Sequence, residues 1–562
     1  MSRSAIQFGA RKGFPASLVA FALLSLSISL PVFLLISAAP SLASAQGKKK
    51  SGKSSDAASA VLDRAIKLYD SDELYSATIE LFKVVEGESG DSEANKQKAE
   101  FWMGKALYKL TYYSAALTYF DRIVQKGPSH AHYNETLKWL ASLSREVADS
   151  AGILEKIGKY SRKDLEQPAL ESVRDELYFL LGKYHYTKSN FKEAVSLFKM
   201  VPTQSPFYVQ AKLFEGATHV REYNAKPAVD AFKEVLRVGA ESDDPKVKPY
   251  EDLANLSLAR TFYSTGQYEL AAKYFDRVSL DSYDWPNSLF EASWANFMLR
   301  QAGYSKALGN IQTLQAPYFD NFVKPESIGE ALTVKATIYF YNCQYDRAAD
   351  SIQEFRETFE PLALDLKRLV DGTTANDQFY ELADKIRDGR SNLSDGTARA
   401  ARAVLSDRML ARRFDYVKEL DRELAEHEKA DPAWKSTAVA NAVMTDITLQ
   451  RSLTVNEAGD LARQRITRLV NELAQLIKRV IKIEIEILSG EKGQLEQEIV
   501  QEQQAAGAGK AKDVSRIVVD DEHEFWPFKG EYWRDELGYY RVKLANKCER
   551  AAPECAPTGP TQ

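Results

Sequence analysis

The chain has 562 residues, 44% of them hydrophobic, 27% charged and 11% aromatic, with a formal net charge of −5. That mild acidity argues against general nucleic-acid binding, which needs a concentrated basic surface. The three cysteines show no zinc-type spacing and the six histidines are scattered, so no metal centre is expected.

Residues 1–45 read as an export signal. Arg3, Arg11 and Lys12 precede an apolar run from Leu18 to Ile36, and Ala43-Ser44-Ala45 offers small residues for cleavage before Gln46. An uncleaved anchor is the alternative, because the run nears the length that spans a bilayer. Neither a lipobox cysteine nor a paired arginine is present. Cleavage would leave a periplasmic chain of formal charge −8, with no further charge-free stretch long enough to cross a membrane. Residues 46–56, with Lys48, Lys49, Lys50 and Lys53 among Gly and Ser, read as a flexible basic linker.

From residue 57 to 361 one pattern recurs. A small residue is followed twelve positions later by Ala, and four after that by Phe or Ile. The first three sets are Gly104 with Ala116 and Phe120, Gly182 with Ala194 and Phe198, and Gly216 with Ala228 and Phe232. The next three are Ala259 with Ala271 and Phe275, Ala295 with Ala307 and Ile311, and Ala336 with Ala348 and Ile352. In five of the six an aromatic precedes the central Ala by three: Tyr113, Phe191, Tyr268, Tyr304 and Tyr345. The small residues let two antiparallel helices approach closely, and the bulky one fills the space to the next pair. The step from Ala116 to Ala194 is 78 residues, so a degenerate copy is expected around Leu137–Tyr160. A weak first copy reads as Tyr75, Thr78 and Phe82, with Thr78 in place of the central Ala. About eight helix pairs follow, an all-α solenoid.

Beyond Pro361, helices are expected at about 362–388, 397–429 and 433–504. The last holds a heptad seam, Ile466, Leu469, Leu473, Leu476, Val480, Ile483 and Ile487. It fits either a hairpin with the 397–429 helix or self-association as an intermolecular coiled coil. Residues 505–519 read as a glycine-containing hinge, and 520–562 as a tail with seven aromatics between Phe525 and Tyr540. Those aromatics either dock on the chain's own helices or bind a partner or glycan. Cys548 and Cys555 are expected to close a small loop in an oxidising compartment, and Cys343 to be a buried small hydrophobe.

The repeat resembles the tetratricopeptide (TPR) family. Pro128 and Pro206, each twelve after a central Ala, stand where that family often has proline. The aromatic tail is similar to tails of TPR envelope proteins of myxobacteria, some linked to gliding motility. The resemblance implies a protein-binding role.

No catalytic constellation occurs: no phosphate-binding glycine loop, no nucleophile elbow and no paired metal-ligating histidines on a helix. No cofactor is therefore expected, and the protein is not read as an enzyme. In TPR folds the first helix of each pair lines a groove. The residues that would face it include Lys105 with Tyr108, Lys183 with Tyr186 and Arg260 with Tyr263, basic–Tyr pairs suited to an acidic peptide or a terminal carboxylate. The leading expectation is a non-catalytic periplasmic scaffold for an envelope assembly, secretion or gliding-motility machine, partnered by other envelope proteins. A periplasmic chaperone and a helical-repeat cell-wall enzyme are the alternatives.

Overall fold

The structure is a computed structural model that describes residues 59–148, 151–317, 323–504 and 530–548. The expected signal, basic linker and hinge lie outside these residues, as do Cys555 and the aromatics Phe525, Trp526 and Phe528. Among the described residues every regular element is helical, and no helix is long and apolar enough to cross a membrane. The chain divides into two compact units. One holds residues up to Ala231 together with Arg412–Thr454; the other holds Phe232–Ala411 and everything from Val455 onward.

The first unit opens with antiparallel pairs α1 (Ala60–Asp70) with α2 (Leu74–Val85), and α3 (Glu93–Lys109) with α4 (Tyr113–Lys126). Ser59 and Ser92 cap α1 and α3, their hydroxyls accepting from the backbone N–H groups of Leu62 and Asn95. The long step of the repeat holds α5 (Tyr133–Glu146) and two short helices, α6 (Ile153–Ile157) and α7 (Arg162–Leu165). This degenerate copy is closed by stacking of Tyr133 on Tyr160, ring centres 4.1 Å apart. Then come α8 (Arg174–Thr187), α9 (Phe191–Phe198) and α10 (Tyr208–Arg221), followed by α11 (Ala225–Ala240), whose first residues belong here.

The second unit continues with α12 (Lys248–Ser264), α13 (Tyr268–Phe275), α14 (Trp285–Met298), α15 (Gln301–Leu314), α16 (Pro325–Tyr341) and α17 (Tyr345–Gly372). It also contains α18 (Asn376–Arg387) and α19 (Asp395–Leu405). The remaining helices are α20 (Arg408–Lys429), α21 (Pro432–Lys435) and the 67-residue α22 (Ala438–Gln504).

The repeat triplets explain the pairing. The central alanines Ala116, Ala194, Ala228, Ala271, Ala307 and Ala348 are fully buried. The bulky members Phe120, Phe198, Phe232, Phe275, Ile311 and Ile352 are buried with them. So are the small members Gly104, Gly182, Gly216, Ala259, Ala295 and Ala336. A Cβ on Gly104 would meet the Phe120 ring at 2.7 Å, and one on Gly182 would meet the Phe198 ring at 2.6 Å. The small residue of one helix thus receives the aromatic of the next. The turns are as regular as the helices. Asp72, Thr111, Ser189, Tyr223, Gly266 and Cys343 all have positive φ, and each lies two residues before a second helix. The following residue donates its N–H to a carbonyl five back, as in Tyr112 to Leu107 at 2.9 Å. This is the Schellman closure of a helix C-terminus.

That turn corrects the first copy. Asp72 places Ala77, not Thr78, at the central position, and the triplet becomes Ala65, Ala77 and Leu81, all fully buried. Leu74 stands where later copies have an aromatic. Two helix boundaries also differ from expectation. Helix α17 runs through Pro361 rather than ending there. The expected 397–429 helix is two, because Asp407 accepts from the N–H groups of Met409 and Leu410 and starts α20 afresh.

The heptad seam is buried except at Ile483, which is half-buried, and within the second unit its partners include α16 and α17. A Cβ on Gly329 of α16 would touch Leu476, Arg479 lies 3.8 Å from Glu330, and Arg356 pairs with Glu484. In the first unit, α20 and the start of α22 do form a hairpin: Arg451 pairs with Asp421, and His427 Nε2 meets the Ala440 carbonyl at 3.1 Å.

The tail residues 530–548 dock on the second unit's own helices. Val542 donates its N–H to Ser305 O (3.2 Å), Lys547 donates to Asn342 O (3.0 Å), and Lys306 reaches Gly538 O. Gly309 admits this segment, since a Cβ there would meet Tyr540 O at 1.7 Å. The expected Cys548–Cys555 loop is not what forms. Cys548 is bonded to Cys343, with Cα atoms 5.3 Å apart at a sequence separation of 205. Cys343 is not the buried hydrophobe expected, because it occupies the left-handed turn position, within reach of the docked tail.

Candidate functional site

The basic–Tyr pairs take packing roles. Tyr108 lies 5.3 Å from Tyr113, Tyr186 lies 6.4 Å from Phe191 and Tyr263 lies 5.4 Å from Tyr268. Each tyrosine therefore braces the turn of its own helix pair, and Tyr186 is 1% exposed. The cations are engaged too. Arg260 forks onto Glu291, and Lys183 sits over the Phe179 ring at 5.6 Å. Burial works against the Arg260 charge, but Glu291 outweighs it and raises the pKa. All three pairs are thus engaged in packing, stacking or ion pairing within the fold.

One pair belongs to a surface that sequence reasoning missed. In the first unit, α1, α3 and α5 bring Tyr69, Trp102 and Trp139 into an aromatic face, Trp102 and Trp139 half-buried over the buried Tyr69. Tyr69 meets Trp102 edge-on at 4.8 Å, and Tyr108 meets Trp139 at 5.3 Å. Lys105 rests on this face. Its Nζ is 3.4 Å from the Trp102 ring centre, 4.9 Å from Tyr69 and 5.8 Å from Trp139. Burial against the rings pushes its pKa below the usual lysine value, only partly opposed by Asp70 and Glu135. Lys109 lies 4.6 Å from the Tyr69 ring and pairs with Asp72.

A partly dehydrated ammonium on an indole gains from an incoming carboxylate more than a fully hydrated one would. Tryptophan and tyrosine at a partly open surface supply large contact area with little rotamer entropy to lose. The arrangement can bind a peptide segment with an acidic and an apolar group. The sequence signal was available: Trp102 precedes Lys105 by one helical turn, and Trp139 sits on the next repeat's first helix.

A second cleft in this unit lies between α4 and the start of α22, lined by Thr118, Tyr119, Arg122, Asn441 and Leu449. Thr118 donates to Asp446 across it at 2.7 Å. His130 and His132 serve structure. His130 is buried 3.4 Å from Glu100, and His132 stacks on Phe101 at 4.5 Å. Among the described residues no group of three or more potential metal ligands is assembled.

Helix pairing and this face together define a helical-repeat protein suited to protein–protein interaction. No protein-family model matches the chain, and no curated protein matches it. Among solved structures it is similar to a circular tandem repeat protein with novel repeat topology and enhanced subunit contact surfaces. That similarity is 13% identity over 77% of this chain and 96% of the other, with a TM-score of 0.11. The helical-repeat assignment rests on the triplets and turns described above.

Proposed function

We propose that this chain is a non-catalytic scaffold of the bacterial cell envelope, built on TPR-type repeats and exported to the periplasm. It would serve an assembly, secretion or gliding-motility machine. The observation that carries the reading is the aromatic face bearing Lys105, a surface suited to a protein segment. The Cys343–Cys548 bridge supports export, since such bonds persist mainly outside the reducing cytosol. The long helix α22 would act as an arm through which copies associate.

Capture from crosslinked cells tests the partner surface. The intact protein should retain envelope proteins that a Trp102→Ala, Lys105→Glu variant of unchanged circular dichroism loses. Equal recovery by both would remove the face from the proposal. Residues 1–56 fused to a reporter active only outside the cytoplasm test export, and an inactive fusion counts against it.

A further inference from the structure

Helix α22 carries a second apolar stripe that the chain's described residues do not cover. Ile481, Ile485, Leu488, Leu495 and Ile499 are 43%, 62%, 59%, 52% and 55% exposed. They lie about 100° round the helix from the buried seam of Leu473, Leu476, Val480 and Ile487. The spacing is that of a heptad seam, with Lys492 at the one position not filled by an apolar residue. Such residues are not left in water across several turns of a helix without a use.

We propose that this stripe binds the same stripe of a second copy, the two helices running antiparallel. The proposal rests on the reading of α22 as a self-associating arm and specifies the face. The stripe is nearly self-complementary when reversed. Ile481 then faces Ile499 of the second copy, Ile485 faces Leu495, and Leu488 packs along the stem of Lys492. A two-fold axis makes each contact occur twice.

The flanking charges fit that register. Lys482 is brought to Glu496 of the second copy, and both side chains are exposed. At the axis both copies' Glu491 and Lys492 meet, two carboxylates with two ammonium groups. Glu484, which would otherwise add repulsion, is already held by Arg356. Ser489 is exposed and lies beside its own counterpart at the axis. A parallel pair would instead set Leu488 against Leu488 and send the two Ser489 residues to opposite sides.

Mass measurement and directed crosslinking test this on the full chain in a Cys555→Ser background, with the native bridge kept. The protein should run as a dimer, and Ile485→Asp with Leu495→Asp should halve the mass without loss of helicity. Ser489→Cys should crosslink between copies on mild oxidation, whereas Leu488→Cys should not. A dimer that survives the double aspartate variant overturns the stripe while leaving self-association standing. A monomer at the highest soluble concentration overturns both, including the case where the chain's own residues 505–529 cover the stripe. Crosslinking at Leu488→Cys but not Ser489→Cys overturns the antiparallel register.

Discussion

The carboxylate of Glu423 accepts two hydrogen bonds from Ser114, one from its backbone N–H at 2.8 Å and one from its hydroxyl. Ser114 stands in the first turn of α4, where N–H groups have no partner within their own helix. A helix from the region after the repeats thus caps a repeat helix. Glu419 accepts in turn from the N–H of Ala148, just beyond the end of α5, at 3.2 Å.

Because Ser114 and Glu423 are both buried, Glu423→Ala leaves donors without acceptors. The expected loss is about 1–3 kcal/mol in urea unfolding. Glu423→Gln keeps an acceptor and should lose less.

Acid should stabilise the second unit. Burial raises the Glu330 carboxyl to about 7 and Glu326 to about 6, with Arg479 and Lys324 opposing and Glu472 adding to the shift. Both groups bind protons more tightly folded than unfolded. From about pH 4.5 to about 7 the folded state therefore holds more protons, and stability falls as pH rises. Glu330→Gln removes the larger part. The variant should gain on wild type steadily from pH 5 to pH 8, and a pH-independent difference in melting temperature would contradict the shift.

Gly104 has no room for a side chain. Gly104→Leu should drive Phe120 from its site and prevent cooperative unfolding. Phe120→Ala leaves a cavity and should cost about 3–5 kcal/mol. Denaturant unfolding followed by far-ultraviolet circular dichroism compares the two.

Cys548→Ser should release the tail. Loss of a bridge at a sequence separation of 205 is expected to cost about 5 kcal/mol if it acts on the unfolded chain. Residues 530–548 should then become cleavable by protease at sites protected in the oxidised protein.

The triplets were legible because their spacing is dictated by helix geometry alone. The first copy was misread by one residue because Leu74 stands at the aromatic position with Tyr75 beside it, and its turn at Asp72, like those at Thr111, Ser189 and Tyr223, has no glycine to mark it. The same turn hid Cys343, since nothing in its neighbours marks a left-handed cysteine. The seam in α22 was visible as a seam, yet its partners on α16 and α17 lie more than a hundred residues away in sequence. The groove tyrosines were legible, but their packing was not. Their contact is with an aromatic five residues on, and periodicity along one helix does not report a contact made round a turn. The aromatic face around Trp102 needs three helices from three repeats, so no single stretch announces it.

The bond between Cys343 and Cys548 also fixes how the chain carries tension. Force applied at the two ends would pass through the sulfurs and skip everything between them. The closed loop, a sequence separation of 205, would add nothing to the stretched length, about 700 Å of contour withheld. Pulled at its ends, the chain would keep its long helix and its docked tail while the repeats before residue 343 gave way. Only reduction of the bridge would let that reserve of length out.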